Sequence, residues 1–164
     1  MISTFAFLYF YAGWFAAIFL AKTEHAWISL LLPLGMILCF LKLRLLTPKL
    51  LALGLATSIF GAVFDSLMSQ TKLISVHGQT NWLIPSWLIS IWFLFTFSMI
   101  GMRSKLRFPN WLAALLGAIS GPLSYKSGAY FEVLFMTSNA ALIVYSVFWF
   151  LAFPIFLHFL RRFS

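Results

Sequence analysis

The feature that most constrains this chain is the recurrence of long apolar segments, each roughly 20 residues long and nearly free of charge. A helix needs about 20 apolar residues to cross the hydrocarbon core of a bilayer. Hydrophobic residues make up 63% of the chain and charged residues only 9%, whereas a typical soluble domain has about 25% charged residues. The pattern predicts an all-α integral membrane protein with a single domain over residues 1–164.

Six transmembrane helices fit this pattern, separated by basic clusters, polar loops and prolines. In chain order, the predicted spans are residues 4–21, 27–41, 50–69, 85–102, 110–128 and 138–160. The second is short for a membrane span, and Pro33 should kink it. We therefore predict a six-transmembrane-helix bundle.

The distribution of Lys and Arg predicts the orientation of this bundle. The loops after spans two and four, with the C-terminal tail, contain eight of the eleven basic residues, and Lys22, Lys72 and Lys126 lie in the other loops. Because Lys and Arg are enriched in cytoplasmic loops, both termini should be cytoplasmic, and we expect a multi-pass protein of the bacterial inner membrane. The net charge of +8 then indicates membrane lipids as partners, and we expect no nucleic-acid binding.

Several kinds of chemistry are not indicated. Cys39 is the only cysteine, which excludes an intramolecular disulfide and a cysteine-based metal site. The three histidines, His25, His77 and His158, are scattered along the chain and form no local metal-ligand motif. No zinc-protease, serine-hydrolase or nucleotide-binding motif is present. We therefore predict neither a metal nor a cofactor.

Asp65 is a carboxylate within the apolar run from Leu50 to Met68. An ionisable group in hydrocarbon is costly, so it normally faces the bundle interior or a wet cavity and has a partner. The predicted span ends four residues later, at Ser69, which places Asp65 roughly 6 Å below the outer interface. We predict that Asp65 is the centre of a polar pocket in the periplasmic half of the bilayer.

Residues at the outer ends of the other spans are the candidate neighbours of Asp65. Tyr125 can donate a hydrogen bond, and Lys126 is the nearest cation in this topology. Trp87 lies near the membrane interface, where a tryptophan is typically an anchor. Trp92 lies about one turn deeper, so it could line the pocket. The predicted pocket consists of Asp65, Tyr125, Trp92, Lys126, Ser69, Trp87, Asn139 and Glu132. The alternative is a polar cluster with a purely structural role.

Small residues recur on one helical face of span three and one of span five. Such faces let membrane helices approach closely. The predicted helix-packing positions are Gly54, Ser58, Gly61, Gly117, Gly121, Pro122 and Gly128. One hypothesis is that these two spans cross closely and leave Asp65 facing a pocket that both helices share.

Residues 129–137 fit two alternatives. They are too apolar for a free loop, yet Glu132 interrupts them. They could form an interfacial helix on the outer surface, which we favour. They could instead extend the sixth helix to about 30 residues, which requires strong tilt or a break.

Four motifs occur in order along the chain: Tyr11-Ala-Gly-Trp14, Phe64-Asp-Ser66, Pro85-Ser-Trp-Leu88 with Trp92, and Gly117-Ala-xx-Gly-Pro-xx-Tyr-xx-Gly128. Together they resemble a family of small bacterial membrane proteins catalogued as domain of unknown function 2878, over nearly the whole chain. The resemblance implies an inner-membrane protein, and the family context favours membrane-lipid metabolism or envelope stress. Lys126 and Glu132 are not among the positions that match the family pattern.

Three classes of function are compatible with these observations. The first is a pocket that binds or modifies a lipid-like or amphiphilic molecule, with Asp65 as the acid or base if the protein is an enzyme. The second is a solute-binding or transport subunit, because six spans in so short a chain resemble the substrate-binding components of vitamin transporters. The third is a purely structural subunit that partners another membrane protein.

Overall fold

Six α-helices account for most of residues 1–163, the part of the chain described by the computed structural model. The α-helices are α1 Ile2–Ala21, α2 Leu31–Lys42, α3 Pro48–Gln70, α4 Ser86–Gly101, α5 Asn110–Tyr130 and α6 Asn139–Arg162. Two 3-10 helices, Ala26–Leu30 and Arg103–Lys105, precede α2 and follow α4. Two short strands, β1 Ile74–Val76 and β2 Leu134–Met136, complete the fold.

Three of these helices, α1, α3 and α6, are long and apolar enough to cross a membrane, which indicates a membrane protein. The apolar stretch Ala26–Lys42 and α4 are shorter. Each of the six predicted spans coincides with a helix. Pro33 lies in the first turn of α2, directly after the 3-10 stretch, where proline costs no helical hydrogen bond.

The helix α4 is at the centre of one half of the bundle. It packs against α1, α2 and α3, whereas α5 packs mainly along α6. Leu94, Phe97 and Ile100 of α4 are fully buried in the core. The bundle therefore consists of a group formed by α1 to α4 and a second group formed by the α5–α6 pair.

Glycines set the close contacts within both groups. A Cβ atom on Gly117 would overlap the backbone carbonyl of Trp149, and one on Gly61 would overlap the indole of Trp92. The small face of α3 therefore packs against α4, and the small face of α5 packs against α6. The hypothesis that the two small faces cross each other is wrong, because large aromatic residues of a neighbouring helix fill the space beside each.

Residues 129–137 match neither predicted alternative. The helix α5 continues to Tyr130, and Glu132 then turns the chain with a left-handed φ of 56°. The strand β2 follows and pairs antiparallel with β1, with Leu134 opposite Val76. Pairing satisfies backbone groups that neither segment can satisfy alone, so this apolar segment caps one end of the bundle as a strand.

We expect Gly117→Val to destabilise the packing of α5 on α6, because its side chain would overlap the backbone of α6. Overpacking of this kind costs about 1–3 kcal/mol. Thermal unfolding in detergent micelles measures the effect. Ala118→Val is the matched control, since Ala118 is only partly buried. Equal melting temperatures for the two variants would contradict the assignment of Gly117 as a contact position.

Candidate functional site

Asp65 is fully buried and accepts hydrogen bonds from three other helices. The phenols of Tyr125 in α5 and Tyr145 in α6 donate to Oδ1 at 2.7 and 2.8 Å. The indole Nε1 of Trp92 in α4 donates to Oδ2 at 2.7 Å. One carboxylate in α3 therefore connects all four of these helices.

Local sequence explains how the donors reach this carboxylate. Gly61 lies one turn before Asp65, and its missing side chain leaves room for the indole of Trp92 against α3. The rings of Tyr125 and Tyr145 lie against each other with centroids 3.9 Å apart, which brings both hydroxyl groups to the same carboxylate oxygen. Small and aromatic residues together build the site.

The hydrogen-bond donors to Asp65 are all neutral. No cation forms an ion pair with it among residues 1–163. An unpaired carboxylate in an apolar interior is strongly disfavoured, and hydrogen bonds to an ionised acceptor are roughly twice as strong as neutral ones. The three donors thus replace the hydration that Asp65 loses on burial.

Trp92 and Tyr125 contact Asp65 as predicted, whereas Lys126 does not. Lys126 is exposed, and its predicted pairing with Asp65 is not formed. The reason is helical geometry: adjacent residues point about 100° apart, so Lys126 cannot face the site that Tyr125 faces. Glu132 is also exposed and forms an ion pair with Lys22 at 3.4 Å.

The other predicted pocket residues lie apart from the carboxylate. Ser69 donates a hydrogen bond to Gln79 at 2.5 Å, and Asn139 is exposed at the start of α6. Trp87 is buried, and its Nε1 donates to the carbonyl of His77 at 3.1 Å. Trp87 therefore holds the loop between α3 and α4 instead of serving as an exposed interfacial anchor.

Tyr145 is the residue that the sequence-based prediction missed. It belongs to a buried stripe of α6, spaced four residues apart, formed by Ala141, Tyr145, Trp149 and Phe153. A buried tyrosine hydroxyl usually has a hydrogen-bond partner. The single tyrosine in this stripe therefore indicated a buried hydrogen bond, but the sequence did not show that Asp65 was its acceptor.

A groove of about 620 Å³ lies beside the Asp65 network, between the α1–α4 group and the α5–α6 pair. Aromatic side chains of α1 and α4 line one wall, and small residues of α5 line the other. Among residues 1–163, no charged residue lines it. Trp92 and Tyr125 belong to both the network and the groove wall, and the predicted pocket residue Trp87 belongs to the wall as well. Asp65 does not line the groove.

The groove runs along the helices and opens between α1 and α5. Its lining extends from Gly117 to Gly128 on α5, which is roughly 16 Å at 1.5 Å per residue. Tyr11 of α1 and Leu123 of α5 line it and are both exposed. On α4 the lining extends from Trp87 to Met102, which is roughly 22 Å at the same rise. The groove is therefore longer than one leaflet of a bilayer, whose whole hydrocarbon core is about 30 Å thick.

Two stacked indoles form the floor of this groove. The rings of Trp92 and Trp149 are nearly parallel, at 6°, with centroids 5.3 Å apart. Nε1 of Trp92 is bound to Asp65, whereas the buried Nε1 of Trp149 has no hydrogen-bond partner in the described part of the chain. Both indole nitrogens are buried, so the floor presents mainly apolar ring surface to the groove.

Comparison with known proteins gives one match. A family model described as "Protein of unknown function (DUF2878)" matches residues 3–155. No curated protein and no solved structure matches the chain. Within residues 1–163, no group of three or more His, Cys, Asp or Glu residues could hold a metal ion.

We expect Asp65→Ala to lower the free energy of unfolding by about 3 kcal/mol or more, because it leaves three buried donors unpaired. Tyr145→Phe removes one hydrogen bond to the carboxylate and should cost about 1.5–3 kcal/mol, the scale of a hydrogen bond to a charged group. Unfolding in detergent micelles measures both changes. Tyr130→Phe, at a residue that is 84% exposed, is the control. An Asp65→Ala variant as stable as that control would refute the role of the carboxylate.

Proposed function

The chain belongs to the DUF2878 family of proteins of unknown function, and we propose that it binds a lipid-like amphiphile within the membrane. The observation that carries this proposal is the groove of about 620 Å³, which no charged residue of the described part of the chain lines. Its volume lies within the range of about 300–1,000 Å³ that is typical of ligand-binding sites. The protein is, in this proposal, a binding protein for membrane amphiphiles.

The proposed topology has six spans with both termini in the cytoplasm of a bacterial cell. Arg161 of α6 donates hydrogen bonds to the carbonyl of Phe108 and the side chain of Asn110, which supports one shared basic end for the bundle. Lys22 and the strand pair then lie on the periplasmic side. The excess of Lys and Arg at the Arg161 end supports this orientation.

The lining of the groove favours hydrocarbon as its occupant. Moving a charged group into an apolar site without a partner is costly, so the part of the ligand inside must be uncharged. The opening lies beside exposed apolar side chains of α1 and α5, such as Phe7 and Leu123. In a membrane these residues face lipid, so an amphiphile can enter sideways from the bilayer.

A water-soluble solute fits this groove less well. Sites for polar solutes need placed hydrogen-bonding or charged groups. The serines in the lining include Ser120 and Ser124, and both hydroxyl groups donate to carbonyls of their own helix. The transport-subunit hypothesis therefore receives less support than lipid binding.

Asp65 acts, in this proposal, as a positioning residue. It holds Trp92 and Tyr125 in the groove wall by hydrogen bonds. It is enclosed by its donors and does not line the groove, so it does not reach a bound molecule as an acid or base. The geometry supports binding in preference to chemical modification.

The topology makes a direct prediction for reporter fusions. A fluorescent protein that folds only in the cytoplasm should be active at either terminus. A phosphatase that is active only in the periplasm should be active when inserted beside Lys72 and inactive at the C-terminus. An active phosphatase at the C-terminus would contradict the proposed orientation.

Blocking the groove tests the function itself. Ser124 lines the groove and is exposed, so Ser124→Trp should fill the cavity without disturbing the core. Ile119→Trp adds a comparable side chain to an exposed position of the same helix outside the lining.

We expect the purified Ser124→Trp variant to contain at most about one-fifth of the co-purified lipid found with wild type. This decrease corresponds to a loss of about 1 kcal/mol of binding free energy. Mass spectrometry of extracted lipids gives the measurement. The Ile119→Trp control should match wild type. Equal lipid content in all three proteins would show that the groove is not the binding site.

A further inference from the structure

We propose that the ligand of this groove is a zwitterionic phospholipid whose phosphate contacts Lys22 and whose ammonium group contacts Glu132. This inference rests on the proposed function and adds the class of headgroup. The uncharged lining accounts for the acyl chain. The charged groups that recognise the head must therefore lie at an end of the groove.

The two ends of the groove differ. At one end the lining reaches Ile18 and Gly128, close to the C-terminal ends of α1 and α5. At the other end the lining includes Phe7 of α1, Gly117 of α5 and Met102, which directly follows α4. Within residues 1–163, the one ion pair lies beside the first end, so a zwitterionic amphiphile should place its chain towards Phe7 and its head beside the C-terminal end of α1.

An exposed ion pair lies at this end. Nζ of Lys22, directly after α1, is 3.4 Å from Oε2 of Glu132, directly after α5 and Phe131. The side chains are 48% and 76% exposed, so water screens their attraction, and such a pair contributes little stability. A ligand with one positive and one negative group can replace this single contact with two.

Aromatic rings next to Glu132 favour an ammonium group at that position. Phe131 lies in the groove lining, with its ring centroid 5.9 Å from Trp14 and 6.1 Å from Phe15. Ring faces attract cations, and quaternary ammonium groups are commonly bound by aromatic cages. The carboxylate and these rings together form an acceptor for the positive end of a headgroup.

The charge pattern selects against other headgroups. A purely anionic head would place its phosphate beside Lys22 but leave Glu132 close to like charge. A cationic head would satisfy Glu132 and repel Lys22. Specificity of this kind comes from the repulsive arrangement as much as from the attractive one.

The test uses two single-chain phospholipids with the same brominated acyl chain, one with a zwitterionic phosphoethanolamine head and one with an anionic phosphoglycerol head. Binding to the full-length protein in neutral detergent is measured by quenching of tryptophan fluorescence. We expect wild type to bind the zwitterionic lipid about two- to fivefold more tightly, the scale of a single exposed ion pair. Equal affinities would overturn the proposal.

Variants of the ion pair give the second comparison. Lys22→Gln should weaken both lipids, and Glu132→Gln should weaken only the zwitterionic one, each by about two- to fivefold. Lys72→Gln and Glu24→Gln are matched controls, because both residues are exposed and neither forms an ion pair within residues 1–163. Tighter zwitterionic binding by Glu132→Gln, or no effect of either variant, would overturn the assignment.

Two further measurements distinguish failure of the headgroup assignment from failure of the proposed function. Glycerophosphoethanolamine without an acyl chain should not compete, and competition at similar concentrations would identify a site for a soluble phosphate ester instead. If Ser124→Trp binds both lipids like wild type, the proposed function itself fails. If Ser124→Trp loses both lipids while the charge variants behave like wild type, only the headgroup assignment fails.

Discussion

The structure depends on the burial of one carboxylate. Asp65 has no exposed surface, and a buried carboxylate without partners would cost several kcal/mol, even after local relaxation. Its three donors come from three different helices. Satisfying this single residue therefore fixes the rotation of α4, α5 and α6 relative to α3. No other described residue joins so many helices by side-chain hydrogen bonds.

The same requirement shapes the groove. Trp92 and Tyr125 point their polar atoms at Asp65 and present their ring surfaces to the groove. The polar atom of each side chain is thus satisfied within the core, and its apolar ring faces the groove. Asp65 controls the site without lining it, which explains how a charged residue can support an uncharged cavity.

Glycine positions make this arrangement possible. Side chains at Gly61 or Gly121 would overlap Trp92 or Trp149, so the two stacked indoles lie where the neighbouring helices lack side chains. In a membrane there is little hydrophobic drive between helices, and close packing provides much of their association. The small residues therefore serve packing and also set the width of the groove.

Local patterns in the chain were sufficient to predict the six helices, to identify Asp65 as the organising residue, and to identify Trp92 and Tyr125 as its neighbours. Hydropathy and helical spacing are properties of short segments, so they can be recognised without knowing how the helices meet. The assignment of Lys126 was wrong because it assumed proximity along the chain, whereas direction around the helix decides which side chain faces inward.

Other features depended on contacts between distant segments. Tyr145 is 80 residues from Asp65, and the strand β2 forms only because β1 lies beside it. The groove arises from the gap between the two helix groups, which no single segment encodes. These features follow from how the helices rotate and pair in space, and periodicity along one helix contains no information about that.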